Sequence, residues 1–218
     1  MTNVTRYIFL AFPVLVVLAV SNQAFTLTEE FLLENGATYY NTSIVLNNQY
    51  SWCKITDIEQ GTFLKFFQLG SLIIIHNQLT ELDASIFEGL TNLKLLNCGF
   101  NMVANIQPGA FEGLFYLQLL DLSNSMLSSL PAQLFTGLHN LQLIRLNFNR
   151  LASIDAGAFS QLSQLQEIDL SYNQLSNLSS HSFANLPTLK TLRLSYNSVC
   201  VAPNVSASVN VVIDNQSC

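Results

Sequence analysis

The chain has 218 residues, of which half are apolar and 10% are charged, and its formal net charge is −6 at pH 7. This composition allows a large buried core, and the length fits one elongated domain with its caps. The acidic balance argues against a nucleic-acid partner, which would favour a basic stripe.

Residues 1–24 have the features of a secretory signal peptide. Arg6 supplies a positive charge ahead of the apolar run 8–20, and the small or polar residues Ser21 and Ala24 follow near the expected cleavage point. The alternative is a membrane anchor, but the run has only thirteen residues, whereas about 20 are needed to span a bilayer. The sequence therefore predicts a secreted, extracellular protein with no membrane span beyond the signal peptide.

Residues 25–68 are predicted to form an N-terminal cap that contains a degenerate repeat. The apolar residues Ile55, Ile58, Phe63 and Phe66 have the spacing of the repeats that follow, and residues 44–46 read as a strand. Terminal repeats of solenoids are atypical because one of their faces must meet water.

Residues 69–199 hold six copies of one motif with a period of 24 residues. Apolar residues occupy the fourth, sixth, eleventh and fourteenth positions of a copy. A leucine opens each copy, at Leu69, Leu93, Leu117, Leu141, Leu165 and Leu189. The ninth position is Ser125 in one copy and asparagine in the others, at Asn77, Asn101, Asn149, Asn173 and Asn197. A phenylalanine at the nineteenth position marks the full copies, at Phe87, Phe111, Phe135, Phe159 and Phe183. A period of this kind predicts a solenoid in which each copy forms one coil.

The spacing within a copy predicts one short strand and one turn per coil. Positions four and six alternate with outward positions, so they form a strand whose apolar side faces the core. The asparagine follows that strand, and its amide can donate and accept hydrogen bonds at once. We therefore expect a structural ladder of asparagine side chains that bond the backbone of neighbouring coils. One coil cannot bury its apolar residues alone, so stability comes from stacking on its neighbours.

Residues 200–218 are predicted to form a short C-terminal cap. Val209, Val211 and Ile213 alternate with Asn210, Val212 and Asp214, as expected for a strand that covers the last coil. Without such a strand, the sheet would end on an unpaired edge.

The four cysteines differ in their place within the repeat. Cys98 takes an inward strand position and is expected to act as a small buried apolar residue. Cys53 lies nearly two coils earlier, on the order of 10 Å away by the spacing of strands, which is too far for a disulfide with Cys98. Cys200 and Cys218 remain, and secretion favours a disulfide between them.

Four Asn-x-Ser/Thr sequons follow the expected signal peptide and predict glycosylation in a secreted chain. They begin at Asn41, Asn177, Asn204 and Asn215. A single sequon arises easily by chance in a chain rich in asparagine, whereas four together favour at least one occupied site.

The repeat pattern, LxxLxLxxNxLxxLxxxxFxxL, resembles the 24-residue "typical" class of extracellular leucine-rich repeats. This resemblance implies an α/β-type solenoid that is right-handed and curved, with short parallel strands on the concave face and an irregular or short helical convex side. The signal peptide, short caps and repeats together resemble the leucine-rich-repeat immune proteins of mosquitoes and other insects, and Toll-like receptor ectodomains. The chain differs from the longer insect proteins because it lacks their C-terminal coiled coil and cysteine cluster.

The outward positions of the predicted strands form columns that offer a candidate partner-binding surface. The third position includes Leu95, Leu119 and Leu143, which favour a protein partner over a sugar. The candidate binding residues on this concave face come from the fifth and eighth positions: Phe100, Arg145, Phe148, Asp169, Tyr172, Arg193 and Tyr196. Aromatic and arginine side chains are enriched in interface hot spots. The alternatives are that the charged column neutralises itself as a surface ladder, and that the aromatic residues stack on one another and shield the sheet.

The sequence predicts no enzyme, no cofactor and no metal site. Asp121 and Asp169 form the best carboxylate pair, but Arg145 lies between them and is expected to keep both ionised. The histidines His76, His139 and His181 fall at unrelated repeat positions.

Two functional hypotheses follow. The first is a secreted recognition module of innate-immune type, which binds another protein or a microbial surface through its concave face. The second is an adhesive or structural protein of the cell surface or matrix, or a fragment of a receptor ectodomain. The second hypothesis requires an anchor, and the end of the chain at Cys218 leaves a longer protein open.

Overall fold

The structure is a computed structural model that describes residues 7–11, 14–18, 24–34, 37–38, 43–47, 54–179, 181–183, 185–199 and 203–213. Its strands before the repeats are β1 (Tyr7–Ala11), β2 (Val14–Leu18), β3 (Phe25–Leu27), β4 (Ser43–Asn47) and β5 (Ile55–Ile58). The later strands are β6 (Ser71–Ile75), β7 (Glu81–Leu82), β8 (Leu95–Asn97), β9 (Asn105–Ile106), β10 (Leu119–Asp121), β11 (Leu143–Arg145), β12 (Glu167–Asp169), β13 (Thr191–Arg193) and β14 (Asn210–Val212). Among the described residues, the helix is α1 (Glu29–Glu34).

The main sheet takes one strand from each coil, which confirms the predicted solenoid. Its order is β1-β2-β4-β6-β8-β10-β11-β12-β13-β14, and every neighbouring pair from β2 onward is parallel. The pairing follows the period of the sequence, since Leu119 lies opposite Leu143 and Asp121 lies opposite Arg145. In the full repeats the main-sheet strand begins at position three and ends at position five, or at position seven in β6. Turns and the short paired strands β7 and β9 make up much of the rest of the described coils, which contain no helix.

The phenylalanine column fills the side of the core opposite the strands. The side chains of Phe63, Phe87, Phe111, Phe135 and Phe159 are each at most 1% exposed. Their ring centroids, continued to Phe183, lie 5.8–6.3 Å apart from coil to coil, whereas strands pair at about 4.8 Å. The coils are therefore closer together on the strand side, and the sheet lies on the concave face as predicted.

The asparagine ladder forms as expected, and each rung links two adjacent coils. Asn149 Oδ1 accepts a hydrogen bond from Leu127 N at 3.0 Å, and its Nδ2 donates to Leu122 O at 2.9 Å and Leu146 O at 3.0 Å. Asn101, Asn173 and Asn197 make the same bonds, with a closely related set at Asn77. The ladder satisfies backbone groups that the turn would otherwise leave unpaired.

Ser125 interrupts this ladder. Its hydroxyl oxygen is buried and has no hydrogen-bond partner. The side chain is one atom shorter than that of asparagine and carries no amide, so it does not reach the carbonyls that the other rungs bond.

Both caps contain the elements that the sequence predicts. In the N-terminal cap, Ile55, Ile58, Phe63 and Phe66 are buried at 0–4% exposure, and β3 pairs with β5. The helix α1 begins where Thr28 Oγ1 accepts a hydrogen bond from Phe31 N at 3.0 Å, a standard N-cap. At the other end, β14 pairs with β13 and covers the last coil.

Several predictions concern residues outside the described ranges. Cys53, Cys200 and Cys218 are among them, so the disulfide stays a prediction, whereas Cys98 is fully buried and free. Strands β1 and β2 form an antiparallel pair that extends the main sheet beyond β4. The interpretation of residues 1–24 as a signal peptide and the boundaries 25–68, 69–199 and 200–218 also stay predictions. No helix in the described ranges has the length and hydrophobicity of a bilayer span.

Candidate functional site

The aromatic residues at the eighth position project from the turns that follow the strands. Because position eight lies beyond the end of the strand in every full repeat, the prediction that this column lies on the strands was wrong. All six eighth-position residues, the aromatic ones and Asn124, have a left-handed backbone with φ of 53–57°: His76, Phe100, Asn124, Phe148, Tyr172 and Tyr196. This conformation is uncommon for bulky side chains and costs on the order of 1–3 kcal/mol.

Hydrogen bonds between coils hold this strained backbone in place. Phe100 N donates to Ser123 O at 2.9 Å, and Phe148 N donates to Ser171 O at 3.0 Å. Tyr172 N continues the series on the next coil. Each coil therefore fixes the turn of the coil before it, and the side chains at position eight emerge in register along one edge of the sheet.

These side chains stack into an aromatic ladder, defined here as Phe148, Tyr172 and Tyr196. Their ring centroids lie 4.1 and 4.0 Å apart, and the rings are within 13° of parallel. His76 and Phe100 form a separate pair at 4.5 Å. The aromatic residues thus stack on one another, which the sequence analysis gave as an alternative to partner binding. This stacking covers the faces of the rings and leaves their edges exposed. The four aromatic residues Phe100, Phe148, Tyr172 and Tyr196 remain 40–60% exposed.

The charged column forms ion pairs that differ in part from the expected ladder. Arg145 contacts Asp121 at 3.3 Å, whereas Arg193 contacts Glu167 at 3.1 Å instead of Asp169. The carboxylate of Asp169 is engaged on its own coil, because its Oδ1 accepts hydrogen bonds from the backbone and hydroxyl of Ser171. Both arginines stay more than 40% exposed. Of the two aspartates that the sequence places on either side of Arg145, the described structure therefore brings only Asp121 into an ion pair with it.

Leucines form an apolar strip beside these charges. Leu95, Leu119 and Leu143 pair in register on β8, β10 and β11, and each is half-buried. The strand face, defined as this strip, the fifth-position column and the aromatic ladder, is continuous across adjacent coils. A single partner surface can contact all three parts at once.

A second exposed apolar surface lies in the turns that precede the strands, and sequence reasoning missed it. This turn patch consists of Leu64, Phe67, Phe115 and Tyr116, which are 49–58% exposed. Leu64 and Phe115 line a depression of about 520 Å³. These residues do not recur at every repeat, so the 24-residue period contained no signal for them.

Two of the four predicted glycosylation sites lie among the described residues. Asn177 and Asn204 are exposed, as glycan acceptors must be, whereas Asn41 and Asn215 lie outside the described residues.

Burial, with a smaller contribution from the charge of Lys54, lowers the pKa of His76. Burial also raises the pKa of the Cys98 thiol, which keeps it protonated. The described part of the chain contains no cluster of three or more potential metal ligands.

Parallel coils with one short strand each, closed by an asparagine ladder, define a leucine-rich-repeat solenoid, a scaffold that typically serves protein interaction. The chain belongs to this family. The family model described as "Leucine rich repeat" matches residues 98–151 and 139–199, and the model described as "BspA type Leucine rich repeat region (6 copies)" matches residues 21–118.

A solved structure supports the same assignment. The chain is 26% identical to the protein in the crystal structure of a TLR13-ssRNA13 complex, with a TM-score of 0.55 over 72% of this chain. It spans only 26% of that protein's chain. No curated protein matches the sequence.

Proposed function

We propose that this chain is an extracellular, secreted recognition module of innate-immune type, without enzymatic activity, that binds another protein through its strand face. The observation that supports this most is the aromatic ladder, which is 40–60% exposed although its backbone is strained. Strained conformations persist where the surrounding structure enforces them, and they cluster at functional sites. Exposed aromatic residues beside an apolar strip are typical of interface hot spots.

A protein partner fits this surface better than RNA, although the similar structure is a complex with single-stranded RNA. Proteins that bind nucleic acid present basic grooves to the phosphates. Here the net charge is −6, and the two arginines of the strand face each pair with a carboxylate. A phosphate chain would meet a neutral or acidic surface.

The test uses the secreted protein as bait in the extracellular fluid of its own source. Replacing two rings of the ladder, Phe148→Ala with Tyr172→Ala, is expected to lower partner capture by at least about tenfold, since hot-spot truncations cost about 2 kcal/mol or more. The matched control removes two exposed rings of the turn patch, Phe115→Ala with Tyr116→Ala, and is expected to retain capture.

Each other outcome has a defined meaning. Loss of capture only in the turn-patch variant would move the binding surface to that patch and contradict the proposal. Capture that disappears after nuclease treatment would identify RNA as the partner. Thermal melts of both variants check that the solenoid remains folded, which is expected because the four substituted side chains lie at the surface.

A further inference from the structure

The column of eighth-position side chains has one missing rung, at Asn124. Its backbone matches that of its neighbours, with φ of 53° against 55° at both Phe100 and Phe148. Asn124 N donates to Asn147 O at 2.9 Å, as Phe100 N donates to Ser123 O. The side chain of Asn124 therefore emerges in register between the two phenylalanine rings, but it is too short to cover their outer halves.

The size of the gap follows from the intact part of the column. Phe148 and Tyr196 flank Tyr172 at centroid distances of 4.1 and 4.0 Å, so a separation of two coils accommodates one planar group with both faces in contact. Phe100 and Phe148 are likewise two coils apart, and each has a described ring partner only on its other side. They remain 48% and 45% exposed.

Backbone conformation does not explain the asparagine. Asparagine tolerates a left-handed backbone better than most residues, which would be a sufficient reason for it if the turn required such a residue. The other five coils, however, carry histidine, phenylalanine or tyrosine with the same positive φ. An aromatic ring is therefore compatible with this position, and the short side chain leaves a slot that a ring would fill.

We propose that this slot binds an arginine side chain of the protein partner, with its guanidinium stacked between Phe100 and Phe148 above the amide of Asn124. This inference rests on the proposed function and names the group that the strand face recognises. A guanidinium is planar, stacks on aromatic faces and attracts the negative face of each ring. It suits a chain whose net charge is −6.

Hydrogen bonding favours a guanidinium over an uncharged ring. The side-chain carbonyl oxygen of Asn124 is an acceptor at the base of the slot. Guanidinium carries five N–H donors in a fixed plane, whereas phenylalanine carries none. A lysine ammonium has donors but no planar faces, so it would not fill the space between the rings.

The test measures binding of arginine amide and lysine amide to the intact protein by NMR, through the ring resonances of Phe100 and Phe148. Arginine amide is expected to shift both rings with an affinity on the order of millimolar, and lysine amide to bind about tenfold more weakly, as two cation–π contacts imply. Asn124→Tyr completes the column, so it should abolish the arginine shifts and leave the melting temperature unchanged or raised. The matched control, Asn105→Tyr, adds a tyrosine at a distant exposed position and should bind as the unmodified chain does.

Equal shifts with both amides, or arginine shifts that persist in Asn124→Tyr, would contradict the proposal that the slot binds arginine. The outcome is separable from that of the proposed function. If Asn124→Tyr still captures the partner while the Phe148→Ala, Tyr172→Ala variant does not, then the strand face is the binding surface but arginine is not what the slot receives. If neither variant loses capture, the proposed function fails as well.

Discussion

At the scale of single residues, the asparagines at the ninth position of the repeat form a ladder of side-chain hydrogen bonds inside the solenoid. Asn77, Asn101 and Asn149 are 5–8% exposed, and their amides use both the oxygen and the nitrogen. A buried group without a partner costs about 1–3 kcal/mol. Each asparagine therefore prevents several such losses on two neighbouring coils, which explains why a polar residue is present in an otherwise apolar interior.

Asn149→Ala is expected to destabilise the protein more than Ser125→Ala. The first change leaves Leu127 N and two carbonyls without the bonds that Asn149 provides, at a cost of about 1–3 kcal/mol or more. The second removes a hydroxyl that already has no partner, so its effect should be close to zero. Urea unfolding of both variants measures the difference. Equal losses of unfolding free energy would mean that the asparagine ladder is not the support described here.

Ser125→Asn provides the converse measurement at the same rung. If the ladder accounts for the effect, restoring the amide should raise the free energy of unfolding, because the equivalent asparagines bond carbonyls three and 27 residues earlier, here Leu122 and Cys98. A destabilised Ser125→Asn variant would show instead that the coil has adapted its packing to serine.

At the scale of the elements, the phenylalanine column and the short strands set the shape of each coil. Rings stack on both faces in the middle of the column, whereas Phe183 stacks on Phe159 alone among the described rings. In a linear array of coils, the end units have fewer neighbours and contribute less to the total stability. Removing a ring should therefore cost more unfolding free energy in the middle of the column than at its end, although the sequence of the column is regular.

Phe135→Ala is expected to cost about 3–5 kcal/mol of unfolding free energy, which is usual for a buried aromatic residue. Phe135 contacts Phe111 and Phe159, with ring centroids at 6.2 and 5.8 Å. Phe183→Ala is the matched control, because it makes the same chemical change at the end of the column and should cost less. Denaturant melts compare the two. A larger loss at Phe183 would contradict this view of the column.

The repeat itself allowed much of the fold to be predicted. A period of 24 residues fixes which residues pair, so the strands at Leu119 and Leu143, the buried phenylalanines and the asparagine rungs followed directly. The left-handed backbone at position eight was not predicted, because the in–out alternation of strand side chains was assumed to continue past the end of the strand. Its local signals were Asn124 and His76, two residue types that are enriched at positive φ.

Contacts that depend on side-chain reach were less predictable. The fifth-position column predicted that Arg193 lies beside Asp169. Arg193 pairs instead with Glu167, whose longer side chain reaches across from the neighbouring strand. The turn patch was missed for a different reason: Phe115 and Tyr116 follow no repeating pattern, and only the folded coil shows that they are exposed.

At the scale of the whole molecule, stacked coils convert a repeated sequence into one extended surface. The coils are closer on the strand side, where the rings of the aromatic ladder lie 4.0–4.1 Å apart, than on the phenylalanine side, at 5.8–6.3 Å. This difference brings the apolar strip, Arg145 and the ladder into one contact area. A partner that covers adjacent coils meets all of them without contacting the turn patch.

The central claim is that the strand face, and not the turn patch, contacts the partner. Photo-crosslinking tests it most directly: a benzophenone amino acid replaces Phe148 in one sample and Phe115 in another, both side chains being about half exposed. After irradiation in the native extracellular fluid, mass spectrometry identifies any protein joined to the bait. We expect a specific adduct from position 148 and none from position 115. An adduct from position 115 alone would contradict the account.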